Sequence, residues 1–467
     1  MKNIMKVLLV MLLGTLAVAK SMPVPTVDQP LVPDAAKPGA SAFTLTLQGS
    51  GFVTGSTVQW NGKSLKTKVV SKTKLSAKVP ASYVSKAGTA SVVVENPGRR
   101  TSNVSYFQII KPEKSVAFQF STAGTGAEPY AVATGDFNGD GKVDLAVPNV
   151  SATTVSILLG NGDGTFQTEA EYQAGYAPIG VAVGDLNGDG ILDLVVVNNG
   201  NKSNGHPGTV TILIGNGDGS FTTGKSFNTG NGPLYAVLGD FNRDGKLDVA
   251  VSDYNVSFGN SVAVLLGKGD GTLRKYVTYG TGSAPEELIA ADVNGDGILD
   301  LVTANEVGNS VSVLLGKADG TFQAHVDYSV GASTCPIAVA GADLDGDGHI
   351  DLATANLCNN SASVLLGKGD GTFGKAAAYP TGTSPVSIAI ADFNGDNHQD
   401  LAVVNEGGGT VSFLLGKGNG TFKTHVDSSG GSEPQGIAVA DFNGDGRLDV
   451  SVVDVFSNLA GVLLQGK

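Results

Sequence analysis

Positive charge is scarce in this chain: 30 Lys and Arg face 43 Asp and Glu, a formal charge of −13. An acidic protein repels phosphate backbones and anionic lipid, which argues against nucleic acid and anionic membrane as partners. After the first twenty residues no run is long and apolar enough to cross a bilayer. A Gly-X-Y period is missing despite 66 glycines, so the chain is not collagen-like and its glycine signals frequent tight turns. None of the five histidines is accompanied by a unique Ser, Cys or Glu in a nucleophile–base pattern, so no residue is assigned a catalytic role. With 467 residues, two or three domains are expected.

The N-terminus reads as a secretory signal over residues 1–19. Lys2 and Lys6 precede an apolar run, and Ala17-Val18-Ala19 offers a small-x-small cleavage site. This predicts a secreted or cell-surface protein, periplasmic or extracellular. No Cys follows the site, so lipidation is not indicated. Residues 20–40, rich in Pro and Ala, read as a linker. Residues 41–110 alternate short strand-like runs with turns, among them Phe43–Leu47, Thr57–Trp60, Lys74–Val79 and Ala90–Val94. Such patterning predicts a small antiparallel β-sandwich. With Gly-Ser-Gly-Phe at 49–52, Trp60-Asn61-Gly62 and Val-Val-Val-Glu-Asn-Pro-Gly at 92–98, the segment resembles the immunoglobulin-like IPT/TIG module. Trp60, the single tryptophan, is expected in that core rather than at a binding surface.

The rest of the chain is a repeat. Asp-x-Asn-Gly-Asp-Gly-x-x-Asp, with few departures, begins at Asp136, Asp185, Asp240, Asp292, Asp343, Asp392 and Asp441, at intervals of 49, 55, 52, 51, 49 and 49 residues. A Pro stands seven residues before each first Asp. An apolar strand follows it, then the Asp loop, a second apolar strand, an Asn/Gly-rich loop, a third strand, a Gly-rich turn and a short fourth strand. Four antiparallel strands per ~50 residues, repeated seven times over 115–467, predict a seven-bladed β-propeller and an all-β protein. The last unit ends after its third strand, while residues 116–120 have fourth-strand character. That N-terminal strand is expected to complete the last sheet and leave the ring without free edges.

Each Asp loop offers oxygen at positions 1, 3, 5 and 9 and a backbone carbonyl at position 7. In loop 1 these are Asp136, Asn138, Asp140, Lys142 and Asp144, and in loop 2 Asp185, Asn187, Asp189, Ile191 and Asp193. Loop 3 has Asp240, Asn242, Asp244, Lys246 and Asp248, and loop 4 Asp292, Asn294, Asp296, Ile298 and Asp300. Loop 5 has Asp343, Asp345, Asp347, His349 and Asp351, loop 6 Asp392, Asn394, Asp396, His398 and Asp400, and loop 7 Asp441, Asn443, Asp445, Arg447 and Asp449. An all-oxygen set rich in carboxylates, free of His and Cys side-chain ligands, selects calcium over zinc or copper. The loops match the first nine positions of an EF-hand. However, position 12 is Val147 and Val196 in the first two loops rather than Glu, and the flanks are strands. The competing reading is a metal-free Asx-rich turn, which would leave three carboxylates repelling one another. The loops hold about half of all acidic residues, so seven divalent ions would bring the net charge close to zero. Asp345 adds a charge to loop 5, Arg243 replaces Gly in loop 3 and is expected to point out harmlessly, and Asn397 replaces Gly in loop 6 and is expected to weaken that site.

On these loops the segment 115–467 resembles FG-GAP/VCBS repeat proteins, related to the propeller of integrin α subunits. The resemblance implies metal hairpins on one end of the ring and ligands at the other. That other end would carry the loops 198–207, 253–260, 305–309, 356–360 and 405–409, with Tyr130, Tyr176, Tyr235 and His206 nearby. Cys335 and Cys358 flank loop 5 at similar distances, so a disulfide is expected in an exported protein. The function so predicted is a non-catalytic calcium-binding scaffold presenting a face to an extracellular protein or glycan. The alternatives are a calcium-dependent lectin and an enzyme acting on polysaccharide or phosphoester.

Overall fold

The computed structural model describes residues 22–200, 205–230, 232–254 and 260–466. The segment read as a signal lies outside them. The described residues are all-β apart from one 3-10 turn at Ala81–Val84. No helix among them is long and apolar enough to cross a membrane.

From Phe118 onward the chain forms seven antiparallel four-stranded sheets. In unit 2 the strands are Pro178–Gly184, Asp193–Asn198, Thr209–Gly215 and Phe221–Asn228. The pairing slips just after the initial Pro in six of the seven units, as between Pro178 and Gly180. Proline has no N–H to continue a ladder, so a bulge at the strand's start is its natural place. The second strand is buried at every position in all seven units. It reads as continuous Val, Leu and Ala because a neighbouring sheet covers each of its faces. In units 1, 3, 4, 5 and 6 the fourth strand is exposed except at one position, held in four of them by a tyrosine such as Tyr172 or Tyr328.

Adjacent sheets are joined by apolar clusters, for example Phe137, Val155, Leu194 and Phe221 between units 1 and 2. A further cluster, with Leu145, Leu158, Phe442 and Val462, joins unit 7 back to unit 1. The array is therefore a closed, propeller-like ring with the first strands lining its axis. Closure has a second component: Phe118–Gly124 pairs with Leu459–Gln465 and supplies the outer strand of the last sheet. A covalent bond joins Cys335, just before the first strand of unit 5, to Cys358, just after its second. It closes a loop of 23 residues, a constraint worth about 3 kcal/mol.

The N-terminal residues form two facing sheets around Leu45, Leu47, Trp60, Leu75, Val92 and Phe107. Trp60 is 2% exposed and packs on Phe107. Here the sequence reading needs a correction. Residues 22–40 are not a linker. Thr26–Val27 pairs with Gly49–Ser50, Ala35–Ala36 pairs in parallel with Gln108–Ile109, and Val27 and Leu31 are core residues. Prolines at 23, 25, 30 and 33 disguise the segment, because edge positions tolerate Pro where central strands do not.

Candidate metal centres and the opposite end of the ring

Each Asp loop joins the first and second strands of its sheet, so all seven lie at one end of the ring. Their backbones share one hydrogen-bond frame. In loop 4 the Asp292 carboxylate accepts from the N–H groups of Asp296 (3.1 Å) and Gly297 (2.7 Å), Asn294 Oδ1 accepts from Asp296 (2.8 Å), and Asp296 Oδ1 accepts from Ile298 (2.8 Å). Such Asx turns draw side-chain oxygens inward, where a cation would meet them. In loop 5, Asp343, Asp345 and Asp351 bring carboxylate oxygens within 4.8 Å of one another.

The aspartate at position 9 has a role that the pattern did not disclose. Asp300 accepts from Val293 N–H (3.0 Å) within its own loop and from Gly316 N–H (2.7 Å) beyond the third strand. The same two bonds recur at Asp144, Asp193, Asp248, Asp351, Asp400 and Asp449. This residue staples three segments together whether or not an ion is bound. A carboxylate has about four lone-pair positions, so two remain for a metal. Burial, reinforced by the loop's other carboxylates, pushes Asp144 and Asp193 up to about 6, Asp351 and Asp449 to about 7, and Asp248 and Asp300 to about 8. Burial also raises Asp400 well above the ordinary carboxylate range. Two loops hold an ion pair of their own, Lys142–Asp140 at 3.2 Å and Lys246–Asp244 at 4.0 Å. A divalent ion fits the donor set: the loops gather hard oxygens, and burial and mutual repulsion raise their position-9 carboxyls.

The departures from the repeat keep its backbone. Arg243 takes the left-handed backbone that Gly adopts elsewhere (φ 58°), which puts a strain cost in its main chain. Asn397 also takes it (φ 69°), and its N–H still donates to Asp392 at 2.7 Å, so loop 6 keeps the common frame. The histidines at position 7 lie over a neighbouring turn: a Cβ on Gly369 would strike the His349 ring, and one on Gly418 the His398 ring.

The N-terminal sheets sit on this same end of the ring. Val24 N–H donates to Asp240 in loop 3 (2.9 Å), Asp343 N–H in loop 5 donates to the Gln29 carbonyl (3.3 Å), and Arg447 in loop 7 pairs with Glu113. Asp28 and Asp34 are raised to about 7, each by burial and then by a loop carboxylate, Asp292 and Asp392 respectively.

At the other end, the residues expected to face a ligand divide. Asn198, Asn305, Asn356 and Asn405 are buried, and each amide donates to two hydroxyls of the third strand, as Asn305 does to Ser310 (3.0 Å) and Ser312 (2.9 Å). Asn309, Asn360 and Asn458 accept N–H groups from the following unit. Asn198, Asn305, Asn356 and Asn405 are internal braces, which corrects their assignment to a binding face. What the sequence reading missed are the glutamates. Glu286 and Glu287, on the first strand of unit 4, are both raised to about 8, by burial and then by Glu306 and Glu286 respectively. Tyr130 is raised to about 12 by burial and then by Glu286, Glu406 and Glu306. Tyr254 donates to Glu306 at 2.9 Å, and Tyr176 stacks on His206 at 4.4 Å. The signal was present: Glu286-Glu287 puts two acids directly after the Pro, where no other unit carries one.

Comparison with known proteins gives a consistent picture. The family described as FG-GAP-like repeat matches at residues 136–196, 197–251, 292–354, 343–403 and 392–452, together more than half of the chain. The IPT/TIG domain matches at 31–109. Among solved structures, the chain is similar to a periplasmic gluconolactonase from Pseudomonas aeruginosa, at 16% identity and a TM-score of 0.50, over 75% of this chain and 96% of that one. It is also similar to a functionally unknown protein from Desulfotomaculum acetoxidans (13% identity, 66% and 87% of the two chains, TM-score 0.48). A third is an auxiliary nutrient binding protein from Bacteroides ovatus (11%, 95% and 98%, TM-score 0.42). At such identities the likeness to the gluconolactonase is one of fold. No curated protein matches.

Proposed function

Because the chain belongs to the FG-GAP-like repeat family and carries an IPT/TIG domain at its N-terminus, we propose that it is a secreted calcium-binding scaffold that presents a ligand-binding face and catalyses no reaction. In this reading the seven sheets are the blades of a seven-bladed propeller, the N-terminal sheets are an immunoglobulin-like sandwich, and the Asp loops are structural calcium sites. The observation that carries it is the crowding of carboxylates in seven loops of common geometry, with the position-9 carboxyls raised by burial and by the loop's other carboxylates. An ion at each loop relieves that repulsion and contributes RT ln(1 + [Ca]/Kd), about 2.7 kcal/mol at a hundredfold excess over Kd. The test is elemental analysis and a calcium titration of the purified protein. Several tightly bound calcium ions per chain are expected, and their absence from folded protein overturns the reading.

The ligand face is placed at the end opposite the loops, around Tyr130, Tyr235, Tyr254, Glu286, Glu306 and Glu406. Carboxylates there accept hydrogen bonds from hydroxyls, and tyrosine rings offer flat apolar surface. That combination favours a glycan over a protein surface and makes a lectin the sharper form of the proposal. Binding on a glycan array that is lost in Glu306→Ala supports it. Binding only to extracellular proteins returns the reading to adhesion.

A further inference from the structure

We propose that one outer sheet face of the N-terminal domain is a docking surface for an acidic polysaccharide, a polyuronate. This goes beyond the reading above, which gives that domain no ligand, and it needs neither the calcium sites nor the far end of the ring. Positive charge is scarce in the chain but not evenly spread. Residues 22–114 carry 12 Lys and Arg against 4 Asp and Glu, whereas residues 115–467 carry 15 against 39. From position 35 to position 94 there are eight lysines and no acid.

These cations divide into two groups. Some serve the ring. A Cβ on Gly297 of loop 4 would meet the Lys72 side chain at 3.0 Å, and one on Gly188 of loop 2 would meet Arg100 Nη1 at 3.2 Å. Lys74 lines a cavity of about 450 Å³ together with Asp292, Asp343 and Asp347. Others have no such partner: among the described residues no ion pair reaches Lys66, Lys68 or Lys78. Strand Lys66–Ser71 is the edge of its sheet, followed by Lys74–Val79 and Phe43–Ser50. Leu45, Leu47, Leu75, Ala77 and Val79 point into the core, so the residues between them face out, and Lys66, Lys68 and Lys78 are exposed. Register lines up Lys66, Lys78 and Thr44 in one row and Lys68, Ser76 and Thr46 in the next. Lys78 stands four residues beyond Lys74, about 13 Å along the strand from the ring-facing cavity. Two lysines set directly opposite each other weaken the pairing of their strands. A bound polyanion relieves that repulsion.

The face also selects among polyanions. Its ammonium groups are interleaved with the hydroxyls of Thr44, Thr46 and Ser76, and a polyuronate presents a carboxylate beside free hydroxyls on every sugar. Single-stranded nucleic acid is held by stacking on aromatic rings, and the two rows contain none. A lipid surface is held by a buried apolar face, and Val70 is the one large apolar side chain exposed on these three strands. The acidic ring repels the polymer, so the protein docks by this domain and the far end of the ring stays free.

The test is calorimetric titration of the full chain with soluble oligogalacturonate, with its methyl ester as the uncharged control. Binding to the acid and not to the ester is expected, weakening steeply between about 50 and 200 mM salt. Replacing Lys66, Lys68 and Lys78 together by Gln should lower affinity at least about tenfold. Replacing Lys375, Lys417 and Lys423 of the ring by Gln changes the net charge equally and should leave binding intact. All six side chains are exposed, and unchanged melting of both variants excludes misfolding as the cause. No binding to the acid, or equal loss in the two variants, overturns the inference. Tighter binding to a single-stranded DNA oligonucleotide or to phosphatidylserine vesicles also overturns it. None of these results bears on calcium binding.

Discussion

Loops 1 and 6 begin with the same five residues, Asp-Phe-Asn-Gly-Asp, and end on the same Asp. Their backbones agree closely, with Asp140 N–H 3.1 Å from Asp136 Oδ1 and Asp396 N–H 3.1 Å from Asp392 Oδ1. Yet one stands in solvent with a lysine beside it, and the other lies under a second domain. Asp144 of loop 1 is raised to about 6, whereas Asp400 of loop 6 goes well above its ordinary value, in both cases by burial first. The nine-residue pattern therefore sets the frame, and what covers the frame sets its electrostatics. Two loops that read alike are not alike in the protein.

The largest effect should come from removing metal altogether. Seven sites at about 2.7 kcal/mol each, in hundredfold excess of calcium over Kd, would make the ring depend on the ion for most of its stability. Chelator is expected to lower the melting temperature by tens of degrees, with the loops covered by the N-terminal domain losing hydrogen-exchange protection last. Uniform loss across all loops would erase the distinction between loops 1 and 6.

Next is the position-9 staple, which acts without metal. Asp144→Ala strands the Phe137 and Gly160 N–H groups, and Asp400→Ala strands those of Phe393 and Gly416. Each is expected to cost about 3 kcal/mol, measured by urea denaturation in chelator. If both variants match the unsubstituted protein under those conditions, the staple is not structural.

A smaller effect is the dependence on pH. A carboxyl whose folded pKa lies above its ordinary 3.8 holds its proton more tightly in the folded state. The metal-free protein should thus keep this stabilisation below about pH 4 and lose it as pH rises through about 6 at Asp144 and about 7 at Asp351 and Asp449. Saturating calcium should flatten or reverse that slope. Metal-free stability that rises over the same range would contradict the buried-carboxylate picture.

The smallest effect is also the most discriminating. Arg243 and Asn397 hold the same left-handed backbone, at φ 58° and 69°. Arg243→Gly should stabilise by about 0.5–1 kcal/mol, because only strain is removed. Asn397→Gly should destabilise, because its carbonyl oxygen accepts two N–H groups of the N-terminal segment. Equal shifts of one sign would show that loop 6 is not distinguished by its cover.

The unit length, the strand order within a unit, the oxygen-rich loops and the strand needed to close the last sheet were all legible from spacing and alternation. Those features are local and repeat, so each copy restates the signal. The proline-rich segment at 22–40 was misread because its strands are two residues long and its pairing partners lie 24 and 73 residues away. The buried asparagines looked like loop residues because a polar amide with two hydroxyl partners has no signature in one dimension. Asn397 read as a flaw in a metal site until the ring brought Asp34 beside it.

By itself, then, the order of residues determined the sheets and the hairpin tips, since each depends on neighbours within about fifty positions, and it showed the seam because the last unit lacks the outer strand that Phe118–Gly124 supplies. Only the tertiary structure decided which loops are covered, which asparagines are braces and which glutamates meet at the axis. Those outcomes depend on the dielectric and the charges around a group, and these are set by segments that touch only after folding.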